Sequence, residues 1–174
     1  AGCRLIRHCA RNVCPPTFVR ERAARPLLPG NETITAPVAS IIGNGVPPRS
    51  TYLKVLHKRI KMDNFGALYR NRRNRGLSKR DKYSDGSKAL IFRAYPFAFV
   101  PENKWQQPWG YVSEKAYDAY MAGVVPIWQG GLLPNMLPYF FPTARKQNQT
   151  MLLLRDYAGW ENASLLADHV KRLL

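Results

Sequence analysis

The chain has 174 residues, 45% of them hydrophobic and 11% aromatic, with 27 Lys and Arg against 11 Asp and Glu, so its net charge is +16. Such a length suits one domain with a real core, the apolar content excludes disorder, and no apolar run approaches the ~18 residues of a membrane span. The charge calls for anionic partners, whether nucleic acid, acidic membrane or phosphorylated small molecules, and does not choose among them.

The first residues, Ala1-Gly2-Cys3, carry neither an initiator Met nor the apolar stretch of a signal peptide, which reads as a processed chain or a fragment. Residues 1–35 mix Cys, Arg and Pro without a period and read as a linker or the trailing edge of a preceding domain. Cys3, Cys9 and Cys14 match no zinc spacing, even with His8 beside them. A single disulfide with one thiol left over, or a bridge to chain outside this sequence, both stay open. Asn31-Glu32-Thr33, Asn148-Gln149-Thr150 and Asn162-Ala163-Ser164 are N-glycosylation sequons. Random placement of ten Asn and thirteen Ser and Thr would give fewer than one, so three suggest a secretory lumen.

From residue 37 the texture changes. Residues 37–42 form a short β-branched run closed by Gly43-Asn44-Gly45, a buried strand and a turn. Tyr52, Leu56 and Ile60, with Val55 beside them, fall on one face of a helix, and residues 61–65 suit a second strand. Residues 70–82 hold seven cations, lack apolar periodicity and read as an exposed loop or frayed helix. A short amphipathic piece at 87–93 leads into the continuous apolar run 95–100, a strand covered on both faces. Val112, Ala116, Ala119, Tyr120 and Gly123 mark the next helix, 124–128 the next strand and 151–154 another. The last helix, within 160–174, shows a stripe of Leu165, Leu166, Val170 and Leu173. Strands alternating with helices predict an α/β, Rossmann-like parallel sheet with flanking helices.

In such sheets ligands sit beyond the carboxyl ends of the strands. Two strand-to-helix loops there place a cation in a helix's first turn, Arg49 after Gly43–Pro48 and Lys115 after Gly110-Tyr111-Val112-Ser113-Glu114. The helix dipole disfavours cations at that end unless an anion occupies the site. Two of them suit a pyrophosphate neutralised by side chains; the plainer alternative is a solvated face. The Gly43-x-Gly45 turn lacks the third Gly and the following acid of a dinucleotide fingerprint. There is no G-x-S-x-G, and His8, His57 and His169 have no evident Ser or Cys partner. The aromatic residues fall mostly within strand and helix runs, where core packing explains them better than base stacking.

The run Tyr95-Pro-Phe-Ala-Phe-Val-Pro-Glu102-Asn103, then Gly110-Tyr-Val-Ser-Glu114-Lys115-Ala-Tyr-Asp-Ala-Tyr-Met-Ala-Gly123-Val-Val-Pro126-Ile-Trp-Gln-Gly130, resembles the α-1,3-fucosyltransferases, glycosyltransferase family ten. Upstream, Pro37-Val-Ala-Ser-Ile-Ile-Gly-Asn44, Arg49, Tyr52, Leu56, Asp63 and Phe65-Gly66 resemble the family's strand, Ser-Asn turn, Arg-bearing helix and Asp-x-Tyr-Gly. The resemblance spans residues 36–174. It implies the C-terminal, donor-binding half of a GT-B type glycosyltransferase, with 1–35 a linker or tail of a missing acceptor-side domain. It implies transfer of fucose from GDP-fucose to a glycan or glycoprotein hydroxyl with inversion, by an enzyme whose donor half is inactive alone. Arg49 and Lys115 would then contact the phosphates, Glu114 the ribose, and Asn103 and Tyr111 the region around pyrophosphate and fucose. No cofactor is required on this reading, a divalent metal being stimulatory at most. The enzyme would work in the Golgi lumen, anchored to the membrane through a segment absent from this chain. Ser113 stands for the family's Thr and Gly43 for its frequent Ser; the loop 104–109, with its Trp-Gln-Gln-Pro-Trp, is unusual for the family and leaves the sugar specificity open, and the basic 70–82 segment has no counterpart. The family's base is a carboxylate of the other domain, and Glu32, Glu102 and Glu114 do not match it, so no catalytic residue is assigned. The alternatives are a basic nucleic-acid-binding module and a non-catalytic lumenal domain of the same fold.

Overall fold

The structure, a computed structural model, describes residues 33–47, 49–72, 87–103, 111–130, 152–153 and 163–174. Among the described residues, strands β1 (Val38–Ser40), β2 (Met62–Asn64), β3 (Phe97–Phe99), β4 (Val125–Trp128) and β5 (Leu152–Leu153) are interleaved with four helices. These are α1 (Arg49–Arg59), α2 (Ser87–Phe92), α3 (Glu114–Met121) and α4 (Ala163–Leu173). Every strand pairing is parallel, and the order across the sheet is β2-β1-β3-β4-β5. The α/β parallel sheet with flanking helices read from the sequence is therefore the observed architecture.

Chain direction decides which face each helix covers. From β1 to β2 the chain steps one way across the sheet, and from β3 to β4 the other way. Right-handed crossovers then place α1 and α3 on opposite faces. The core divides accordingly, because successive strand side chains point to opposite faces. Val38, Phe97, Phe99 and Ile127 pack with Leu53 and Leu56 of α1 and Leu166 and Val170 of α4. Ala39, Ala98 and Trp128 pack with Ile91 and Phe92 of α2 and Ala116 and Ala119 of α3. Small residues on both partners let α3 lie close to the strands.

Several expectations shift in register. On α1 the buried stripe is Arg49, Leu53 and Leu56, continued by Ile60 just past the helix end, with Tyr52 and Val55 only half-buried. The polar Arg49 conceals that stripe in the sequence. Helix α3 starts at Glu114, so Val112 packs on the core before the helix, and Gly123 follows it with φ of 66°. On α4, Leu165 is exposed and Ala167 takes its place in the core. Of the basic segment, Arg70, Asn71 and Arg72 are described, and 73–82 lie outside the described residues. Asn71 is not a loose loop residue: its side-chain carbonyl accepts the Asn64 N–H at 2.7 Å and its amide donates to the Met62 carbonyl at 2.8 Å. One side chain thus satisfies a backbone donor and acceptor on β2, the strand at one end of the sheet order among the described residues.

Asp63 ties the amino side of the sheet together. Its buried carboxylate accepts from the Thr35 N–H at 3.3 Å, the Thr35 hydroxyl at 2.7 Å and the Tyr95 hydroxyl at 2.7 Å. Arg72 approaches it at 3.5 Å. Burial, followed by the bond to Asp63 and that anion's charge, raises the Tyr95 hydroxyl's pKa well above the usual phenol range. Tyr95→Phe would leave this buried carboxylate short of a hydrogen-bond donor. It is expected to cost about 1.5–3 kcal/mol in urea denaturation. A loss below about 0.5 kcal/mol would show the hydroxyl to be incidental.

Candidate functional site

The chains leaving β1 and β3 diverge, one turning back towards β2 and the other towards β4. Such a switch point leaves a crevice beyond the strands' carboxyl ends. A small cleft of about 40 Å³ lies there, open to solvent. Ile41, Ile42, Phe92, Phe99, Val100 and Pro101 form its apolar walls, and Arg49, Lys88, Lys115 and Asp118 supply the charge.

Arg49 opens α1 and is 3% exposed. Its Nη1 donates to the Asn103 side-chain carbonyl at 2.5 Å, and its Nη2 donates to the Asn44 main-chain carbonyl in the Gly43–Gly45 loop. Its Nε has no partner among the described residues. Burial lowers the guanidinium's pKa, with attraction from Glu102 working the other way. A buried cation whose hydrogen-bond acceptors are neutral is costly, and more so at a helix N-terminus, a cost that the attraction from Glu102 offsets only in part. An anion in the cleft would relieve both costs.

Lys115 is the second residue of α3 and lines the same cleft. Its ammonium donates to the Ser113 hydroxyl at 2.8 Å and lies 3.4 Å from Glu102 Oε2. Glu102, whose side chain is fully buried, also accepts the Ser113 N–H at 2.9 Å, the Ser113 hydroxyl at 2.5 Å and the Trp128 indole N–H at 3.2 Å.

Arg49, Asn103 and Lys115, chosen from the sequence, are therefore brought together. Glu114 is not among the residues lining the cleft; its side chain is 59% exposed, 3.2 Å from Lys88 and 4.0 Å from Lys115. Burial pushes its pKa up, but its own backbone N–H, Lys115 and Lys88 together hold it below the usual value. Tyr111 is half-buried and is not among the residues lining the cleft. The sequons at Asn31, Asn148 and Asn162, the cysteines Cys3, Cys9 and Cys14, His8 and the loop 104–109 lie outside the described residues. His57 is exposed on α1. Among the described residues no three His, Cys, Asp or Glu side chains cluster to hold a metal ion, and no helix is long and apolar enough to cross a membrane.

Sequence reasoning missed Lys88. From α2 it reaches Asp118 at 3.0 Å and Glu114 at 3.2 Å. Burial opposes its charge, yet hydrogen bonds and attraction from Asp118 and Glu114 raise its pKa overall. No local pattern marks it, because the packing of α2 on α3 makes the contact. Glu102 did carry a signal, as a carboxylate almost directly after a buried strand.

No family model matches the chain, and no curated protein matches it. Solved structures do. The crystal structure of an α1,3-fucosyltransferase matches with a TM-score of 0.55 and 16% identity, over 90% of this chain and 40% of that one. One with GDP-fucose matches with a TM-score of 0.58 and 20% identity, over 90% and 38%. One with GDP matches with a TM-score of 0.55 and 19% identity, over 82% and 36%. The chain thus spans about two fifths of the length of these proteins. The motifs and the fold, read separately, lead to the same proteins, and this chain has the fold of that part of an α1,3-fucosyltransferase.

Proposed function

We propose that the chain is the donor-binding part of a fucosyltransferase that moves fucose from GDP-fucose to a glycan hydroxyl with inversion. One observation carries the reading: two cations from the first turns of two helices face one cleft at the sheet's switch point. Arg49 and Lys115 hold the diphosphate, Asn103 keeps the guanidinium aimed, and Glu114 takes the ribose hydroxyls; Tyr111, outside the cleft lining, borders the fucose end only if the donor extends beyond the cleft.

As the bond from the anomeric carbon to the diphosphate breaks, negative charge grows on the departing phosphate oxygen. Fixed cations in a partly dry cleft stabilise that charge more than water does. The acceptor hydroxyl attacks the opposite face of the anomeric carbon and gives its proton to a general base. Glu102 does not suit that task, since it is fully buried and engaged by Ser113, Trp128 and Lys115. The base and the acceptor site belong to chain outside these residues. Golgi localisation fits the sequons, and expression through a secretory pathway is expected to add endoglycosidase-sensitive mass at Asn31, Asn148 or Asn162.

Calorimetric titration in the presence of a chelator tests the reading. GDP and GDP-fucose are expected to bind, GMP about tenfold or more weaker, and a short RNA only at low salt. Radiolabelled GDP-fucose with galactose- and N-acetylglucosamine-terminated acceptors is expected to give no transfer by this chain alone, because proximity to the acceptor is missing. RNA binding tighter than GDP would favour the nucleic-acid alternative, and robust transfer would place the base within these residues.

A further inference from the structure

Behind Lys115 stands a buried carboxylate to which the proposed chemistry gives no part. Glu102 follows β3, is 1% exposed, and meets donors from two further elements, the N-terminus of α3 and β4. We propose that Glu102 is a positioning residue of the donor site, its carboxylate setting the Lys115 ammonium, directly and through the Ser113 hydroxyl, in the arrangement that receives phosphate. The proposal rests on the donor-site reading of the cleft.

Three features carry it. A Ser at the N-cap normally accepts a hydrogen bond from the helix's own N–H groups. Ser113 makes no such bond; its hydroxyl donates to Glu102 and accepts from Lys115. The capping group has been diverted into a chain that runs from carboxylate to hydroxyl to ammonium. Second, adjacent residues serve the two cations, Glu102 holding Lys115 and Asn103 holding Arg49. One rigid strand end therefore sets the spacing of both. Third, an ion-paired Glu behind a phosphate-binding Lys is how other phosphoryl-handling sites keep that Lys aimed. A purely structural role needs only the bonds to the Ser113 N–H and the Trp128 indole.

Glu102→Gln keeps the shape and the acceptor for those two structural bonds while removing the charge. With the fold retained by circular dichroism, GDP affinity is expected to fall about tenfold. In the Lys115→Met background the same change is expected to have less than about a twofold effect, because the group it positions is gone. Native affinity in Glu102→Gln, or an equal loss in both backgrounds, would overturn the proposal. Should Glu102→Gln fail to fold, Ser113→Ala keeps the carboxylate and removes only the hydroxyl link. An approximately threefold loss that vanishes in the Lys115→Met background is then expected, and unchanged affinity would overturn the idea. Nitrogen-15 spectra of the lysine ammonium groups read the positioning without ligand: a slowly exchanging Lys115 signal is expected in the native chain and its loss in Glu102→Gln. If native protein binds no GDP yet that signal behaves so, the donor-site reading fails while the positioning of Lys115 stands. A Lys115 signal unaffected by Glu102→Gln overturns the positioning itself.

Discussion

Arg49→Met is expected to leave the fold at least as stable as it is and to weaken GDP binding about tenfold to a hundredfold. The two halves of that result have separate causes. Arg49 occupies a buried stripe position on α1 that continues into Leu53 and Leu56. A methionine there joins an apolar stripe and removes a desolvated charge, a change that is often neutral or stabilising by about 1–4 kcal/mol. The acceptors it abandons, Asn44 and Asn103, are exposed and can turn to water. The lost phosphate contact is charge-assisted, worth about 1.5–3 kcal/mol in a partly buried site. Urea denaturation and calorimetry read the two effects independently. A large loss of stability with intact GDP binding would make Arg49 a structural residue.

Gly66→Ala is expected to have the largest effect on stability. A Cβ at this position would lie 2.1 Å from the Ile42 carbonyl oxygen, 2.3 Å from its nitrogen and 2.4 Å from its carbonyl carbon. Those are backbone atoms, so no side-chain rotation relieves the clash. The chain on both sides is also fixed, since the Ile42 carbonyl accepts the Leu68 N–H at 3.0 Å. Overpacking usually costs about 1–3 kcal/mol, and a collision with backbone belongs at or above the top of that range. The gain from a stiffer unfolded chain, about 0.4–1 kcal/mol, is too small to offset it. Because Ile42 lines the cleft, GDP binding should fall with stability. Gly43→Ala is the control: nothing lies within 4 Å of a Cβ there, and a change below about 1 kcal/mol is expected. Native-like stability in Gly66→Ala would refute the close approach.

Strands β1, β3, β4 and β5 were legible because each lies in a short, mainly apolar run, and a strand buried on both faces needs no alternation to be recognised; β2, Met62-Asp63-Asn64, carries two buried polar residues and has no such run. Helix α1 was legible as a helix but not in its register, since its inward stripe begins with an arginine. Leu165 misled for a related reason: beside Leu166 it fits a helical pattern equally well, and only the contact with α1 selects Ala167 instead. In the site, Arg49 and Lys115 stood out because cations in a helix's first turn run against the dipole. Asp63 and Gly66, which carried part of the resemblance, do structural work in tying Thr35 to Tyr95 and in seating Ile42. Lys88 was invisible because its partners lie 26 and 30 residues along the chain.

The most direct test of the account is a crystal structure of this chain with GDP. The account places the diphosphate beyond the ends of β1 and β3, within hydrogen-bond distance of the Arg49 guanidinium and the Lys115 ammonium. A nucleotide bound elsewhere, or with its phosphates turned away from both cations, would contradict it.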